Sequence, residues 1–221
     1  MGKPNYSFGS IKLDTSDFQK KVSRLTNALA DPSGVFTKTI GEMKKRSPGK
    51  IADAVRSEYN IKKAEIMPSK QKTDLKKAGK IKITGQTISE LSLTYEGRLL
   101  TPLHFGMQPK TLPEKKKKYK ITQKVKKKKE TLSSPDAEGY IPFLAPAKKG
   151  SDRIIPFQRK EGSRDIEKVF KTVSLPEMIG PNQDGKGGNP FVREKINKDL
   201  GELLHERFNH NLKRYLGENT K

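Results

Sequence analysis

The chain of 221 residues carries 47 Lys and Arg against 25 Asp and Glu, a formal net charge of +22, with 31% hydrophobic residues and no cysteine. These figures exclude a disulfide scaffold, thiolate zinc and a cysteine nucleophile; they leave room for one domain, or at most two small ones, with a thin core and point to an anionic partner. No apolar run reaches the ~18 residues of a transmembrane helix, and Met1–Asn5 has no hydrophobic segment behind it, which predicts no secretory signal and no membrane partner.

In chain order, Ser10–Leu13 reads as a short strand. Asp14-Thr15-Ser16 offers N-cap oxygens for a helix with Phe18, Val22, Leu25 and Leu29 on one stripe. Asp31-Pro32-Ser33-Gly34 breaks it, and a second helix follows with Val35, Phe36, Ile40 and Met43 inward and Lys44-Lys45-Arg46 in its last turn, where cations suit the helix dipole. Ser47-Pro48, an N-cap followed by proline at the first helical position, predicts a third helix carrying Ile51, Ala52, Val55 and Tyr59. A weaker helical stretch runs over Ile61–Ala78, interrupted near Pro68.

After Gly79 the apolar period falls to two. Lys80–Thr84 alternates, as do Ser89–Tyr95, with Leu91, Leu93 and Tyr95 on one face, and Tyr119–Val125, with Lys and Thr outward. One wet face is the mark of an antiparallel sheet. Tyr140–Leu144 and Arg153–Phe157 read as two more strands, which Pro142 and Pro156 confine to edge or bulged positions. A Gly-rich loop over 180–190 precedes a long amphipathic helix, Phe191–Leu216, opened by Pro190 and closed by Gly217, with Val192, Ile196, Leu200, Leu203, Leu204, Phe208, Leu212 and Leu216 on or beside one stripe. Helices, sheet and terminal helix in that order predict a single α+β domain over 1–221: N-terminal helices, an antiparallel β-sheet with a basic hairpin, and a long C-terminal amphipathic helix. The stripe of that last helix either closes the domain's own sheet or, through Phe208, Leu212 and Leu216, lines a contact between subunits.

The charge is uneven. Residues 1–109 hold 20 basic and 10 acidic side chains and residues 131–221 hold 16 and 13, whereas 110–130 hold 11 lysines and two glutamates, a net of +9 in 21 residues. That segment is a Lys-rich hairpin or arm, centred on Lys115, Lys116, Lys117 and Lys118 and on Lys126, Lys127, Lys128 and Lys129. The bland function of such runs is to keep an exposed sheet edge from pairing. The sharper one is contact with an anion, DNA or an acidic protein surface, with counterion release and a steep dependence on salt. Lysines outnumber arginines 37 to 10, which favours sequence-blind backbone contact over base recognition. Tyr119 is the one aromatic residue between the runs, too little for a stacking platform.

Catalytic and metal signals are weak. His205 and His210 lie five apart on a helix and diverge by about 140°, so they cannot form an i, i+4 metal pair. His104 reads as a surface or packing histidine. Asp184-Gly185-Lys186-Gly187-Gly188 lacks the spacing of a phosphate loop and reads as a hinge. The expectation is a protein without catalytic residues, metal or cofactor. A sequence-nonspecific nucleic-acid binder is the alternative, and a nuclease whose site does not show in the spacing is a third reading.

The C-terminal third resembles the phage minor tail protein Z family of tail-completion proteins. The residues that carry the likeness are Lys171–Gly180 (KTVSLPEMIG), the helix end Arg207–Leu216 (RFNHNLKRYL), and the strand pair Gly139–Pro142 and Ile155–Arg159 (IPFQR). The early helices around Phe18–Leu29 and Ile51–Tyr59, with Lys63–Ile66 after them, fit the family's N-terminal region in order and length. The lysine-rich segment 115–129 and the glycine-rich loop are heavier than the family pattern. The resemblance implies a structural virion protein at the neck, the head-proximal end of the tail. It would complete the tail and help join it to the head as a ring, of six subunits in the family, around the DNA channel. Its partners would be copies of itself, tail terminator or tail tube proteins, head-connector proteins, and DNA in the channel by nonspecific contact. It implies assembly in the host cytoplasm and no cofactor.

Overall fold

The computed structural model describes residues 6–12, 15, 19, 22, 33–67, 79–88, 90–114, 119–132, 139–166, 168–180 and 188–217. The fold is α+β; among the described residues it has two long helices, short connecting helices and three antiparallel sheets.

The first long helix, α1, runs from Ser33 to Glu58 without a break. Two helices were expected here, divided at Ser47-Pro48; one 26-residue helix forms instead, with Pro48 inside it. The apolar stripe explains the difference. Val35, Thr39, Ile40, Met43, Ser47, Pro48, Ile51, Ala52, Ala54 and Val55 are all buried, and they continue at helical spacing straight through the proline. An interior proline costs about 3 kcal/mol, whereas each large apolar side chain buried is worth about 1.5–3 kcal/mol. Splitting the helix would turn one half of the stripe away from the core. Upstream, Gln19 and Val22 are helical, Gln19 N–H donates to the Thr15 carbonyl at 2.8 Å, and Val22 packs on the core. Phe18, Leu25 and Leu29 lie outside the described residues. Of the stretch expected over 61–78, the short helix α2 (Lys63–Ile66) forms, and 68–78 lie outside the described residues.

The terminal helix, α4 (Pro190–Tyr215), is capped by the Asn189 side chain, which accepts from the Phe191 N–H at 3.1 Å; Gly217 follows it at φ 76°. It lies antiparallel to α1. Tyr59, just past the end of α1, receives a 3.4 Å bond from Asn189 at the start of α4, while Phe36 near the start of α1 stacks on Phe208 near the end of α4 at 5.8 Å. Between them, Asn211 Nδ2 donates to Thr39 Oγ1 at 3.2 Å with both residues buried, and Arg207 pairs with Glu42 at 3.6 Å.

Strands β1 (Tyr6–Lys12), β2 (Gly79–Thr84) and β3 (Ser92–Arg98) form an antiparallel sheet in the order β1-β3-β2. Its inward residues Ile81, Ile83, Leu93 and Tyr95 join α1, α4 and α3 (Leu175–Ile179) in one core. The hairpin β4 (Thr122–Lys126) and β5 (Lys129–Leu132) forms a second sheet. A third consists of β6 (Tyr140–Pro146), β7 (Ile154–Lys160) and the two-residue β8 (Lys168–Val169), in that order. Pro142 is on an edge strand, as expected. Pro156 is on the central strand β7, which corrects the expectation of an edge or bulge. It is tolerated because β8 pairs only with Phe157 and Gln158, and beyond it Phe170 N–H donates to the Pro156 carbonyl, a bond that needs no donor from proline. A small second core of Met107, Ile121 and Leu144 ties this sheet to the β4 entry.

Candidate functional site

Three surfaces bear on function, the first being the lysine hairpin. Lys126, Lys127, Lys128 and Lys129 are all exposed, with Lys126 and Lys129 paired across the two-residue turn. The turn is not a free arm. Lys127 N–H donates to the Glu58 carbonyl at 2.9 Å, Asn60 N–H donates to the Val125 carbonyl at 2.9 Å, and Tyr59 bridges Lys126. The hairpin is therefore stitched to the C-terminal end of α1, where exposed carbonyls favour positive charge. The backbone fixes where the four cations sit, and the helix end partly offsets their mutual repulsion. Lys115, Lys116, Lys117 and Lys118 lie outside the described residues. Tyr119, between the runs, uses its hydroxyl to accept the Leu144 N–H at 3.0 Å, so it caps the open edge of β6.

The second surface is the end of α4. Of the three residues expected to pack against another subunit, Phe208 is buried at 3% exposure within this chain's own core and Leu212 is partly buried against the same core. Within this chain their packing is mainly against α1, with Phe36 stacked on Phe208. Leu216 remains outside at 53% exposure, next to Tyr215 at 43%. At the other end of α4, Phe191 stands out at 73%.

The third surface belongs to the β6-β7-β8 sheet. Alternation along the registered strands places Ile141, Phe143, Ala145, Ile155, Phe157 and Val169 on one face, and each is half-buried. None of them belongs to either core cluster, whereas Leu144 and Ile154, on the opposite face, belong to the second. Arg159 lies over the Phe143 ring at 4.7 Å and Phe143 meets Phe157 at 6.2 Å. The third sheet thus packs one face on the second core, while the other is half-buried and borders the Arg98–His104 segment at Ile155 and Val169.

Sequence reasoning missed the setting of His104. It sits on the 3-10 turn Pro102–Phe105, with Nδ1 3.5 Å from Glu65 Oε2. Burial holds its pKa below the usual 6.5; Arg98 and Arg153 push the same way and Glu65 opposes them. Arg98, Arg153, Lys171 and His104 line one cleft of about 290 Å³. These residues span 73 positions of sequence with no motif among them; the available signal was two arginines out of only ten in the chain. His205 and His210 are both half-buried on α4. Among the described residues no group of three or more His, Asp or Glu side chains is placed to hold a metal, and no helix is long and apolar enough to cross a membrane.

Within the KTVSLPEMIG stretch, Leu175–Ile179 forms α3. Ser174 caps it, its side chain accepting from the Glu177 N–H while Glu177 accepts from the Ser174 N–H at 2.6 Å. The S-x-x-E spacing carries this signal in the sequence.

No family model, curated protein or solved structure matches the chain.

Proposed function

We propose that this chain is a non-enzymatic structural protein of a tailed-phage virion that completes the head-proximal end of the tail and helps join tail to head, as a ring, of six subunits by the family resemblance, around the DNA channel. The observation that carries the reading is the half-exposed apolar face of the β6-β7-β8 sheet, Ile141, Phe143, Ile155, Phe157 and Val169, in a chain otherwise dominated by charge. Contiguous apolar surface of this kind marks a contact with another protein. A ring requires two different patches on each subunit. The open sheet face supplies one; the uncovered ends of α4, Phe191 at one and Tyr215 with Leu216 at the other, supply the second. The resemblance of residues 139–216 to tail-completion proteins falls on the same sheet and helix.

In this reading the lysines at 126–129, fixed against α1, and those at 115–118 face acidic neighbours or the end of the packaged DNA. Tail terminator, tail tube and head-connector proteins are the partners the proposed position supplies. The exposure of all four hairpin lysines favours one alternative, a sequence-nonspecific nucleic-acid-binding protein, since lysine clusters bind backbone phosphate without reading bases.

The test is genetic and structural. A phage lacking this chain should yield separate heads and tails under the electron microscope, restored to joined particles by the wild-type chain. Joined particles at wild-type level without it would refute the proposal. Replacing the eight lysines with glutamine should lower joining; if joining and DNA affinity both survive, the runs serve only solubility.

A further inference from the structure

We propose that the cleft between the end of β3 and the β6-β7-β8 sheet is a binding site for a phosphate monoester bearing an organic group of nucleoside size, held by Arg98, Arg153 and Lys171 with His104 as a fourth contact. The cleft borders the sheet face of the assembly reading at Ile155 and Val169, but the proposal rests on its cations and not on that face.

The cations arrive from three directions. Arg98 ends β3, Arg153 precedes β7, and Lys171 follows β8. Backbone bonds set their spacing. Thr172 N–H donates to the Leu100 carbonyl at 2.6 Å, the Thr172 hydroxyl donates to the same oxygen at 2.9 Å, and Leu100 N–H donates to the Val173 carbonyl at 3.2 Å. These bonds lock the Arg98 strand end to the Lys171 segment. The turn that carries Arg153 is closed by Ala147 N–H donating to the Arg153 carbonyl at 2.8 Å and by Arg153 N–H donating to Ser151 Oγ at 3.1 Å.

Among the described residues no Asp or Glu lines the cleft, and no carboxylate pairs with Arg98, Arg153 or Lys171. Glu65, the nearest acid to His104, is engaged with its Nδ1, so only Nε2 is left to meet a ligand. Three like charges gathered around one hollow, with no carboxylate among the described residues that line it, repel one another, and both arginines oppose protonation of His104. A single carboxylate neutralises one of them. A phosphate monoester brings a charge of about −1.5 to −2 and three acceptor oxygens, enough to engage both guanidinium forks and the ammonium together. The remainder of the 290 Å³ is bounded by Leu99, Leu100, Ile155 and Val169, an apolar wall suited to a sugar and base rather than to a bare ion. A free mononucleotide and the 5′-phosphate of a DNA end carry the same chemistry.

The probes are AMP, adenosine, inorganic phosphate, a Glu-rich peptide, and a short duplex with or without 5′-phosphates, titrated calorimetrically into the full chain at fixed ionic strength. One site for AMP is expected, with phosphate weaker and adenosine silent. Arg98→Gln and Arg153→Gln should each weaken AMP at least tenfold with the circular dichroism spectrum unchanged; Arg153 is in an exposed turn, so its variant keeps the test open if Arg98→Gln fails to fold. Glutamine at Lys126–Lys129 should leave AMP affinity unaltered. Competition of AMP by the 5′-phosphorylated duplex alone assigns the site to DNA ends; equal weakness of both duplexes assigns it to free nucleotides; either result sustains the proposal. Absence of AMP binding at millimolar concentration, equal loss on changing the hairpin lysines, or displacement of AMP by the Glu-rich peptide in preference to phosphate would overturn it.

Discussion

Tyr95 carries a hydroxyl that is fully buried and has no hydrogen-bond partner among the described residues. Burial pushes its pKa up, against the nearby Arg193. A Cβ added to Gly180 would lie 2.6 Å from that hydroxyl but 3.8 Å from the ring carbon that bears it. Tyr95→Phe should therefore stabilise the protein by about 1 kcal/mol by removing an unsatisfied polar group. Gly180→Ala should cost about 1–3 kcal/mol by overpacking. In the Tyr95→Phe background the alanine should be nearly neutral, a coupling that a double-mutant cycle in urea measures; additive effects would show that the contact does not matter. Gly188 has no such remedy: at φ +86° its added Cβ would fall 2.2 Å from the Gly180 backbone, which cannot swing aside. Gly180 and Gly188, in the loop expected over 180–190, are thus pressed together. His104 gives a pH signature. Its folded pKa lies below the ordinary 6.5, so between the two values the unfolded chain binds more protons. The stability contributed by the neutral imidazole is full above 6.5 and falls as pH drops from there through the folded pKa. Urea midpoints at pH 7.5 and 5.5 should differ less in His104→Gln than in wild type; an identical difference would contradict the assignment.

At the scale of elements, periodicity was a better guide than punctuation. The stripe of α4 and the alternation of β2, β3 and β4 were legible because each element buries one face and wets the other, which leaves a period in the sequence. The local cap signal at Ser47-Pro48 does not divide α1, because the buried stripe runs through it from Val35 to Val55. Pro48→Ala restores an N–H to the helix interior at the loss of some buried ring, and we expect a net gain of about 1–2 kcal/mol in chemical denaturation. A loss would mean that the ring's packing outweighs the missing bond. Asn211 was illegible for a different reason: a polar residue on an apolar stripe has meaning only beside Thr39, which is 172 positions away. Asn211→Ala should cost about 1–3 kcal/mol, since it leaves buried polar atoms of α1 less satisfied.

On the scale of the whole molecule, net charge predicted an anionic partner but not where it would bind. The 21-residue lysine segment was visible in composition alone, and part of it is held rigidly against α1. The cationic cleft was invisible, because convergence of Arg98, Arg153 and Lys171 depends on how β3 meets the third sheet. The open face of that sheet was also hidden: alternation in Tyr140–Leu144 and Arg153–Phe157 shows that two faces differ, not which of them has a neighbour. Ile141→Glu together with Phe143→Glu should leave the far-ultraviolet spectrum and thermal midpoint nearly unchanged while abolishing self-association. The most direct test of assembly is mass photometry with sedimentation velocity on the full-length chain, from nanomolar to tens of micromolar, alone and with tail and head-connector proteins. The account predicts a concentration-dependent closed ring, a hexamer by the family resemblance, that the double glutamate variant does not form. A monomer at every concentration, with partners present and with steep salt-dependent binding to duplex DNA, would contradict it.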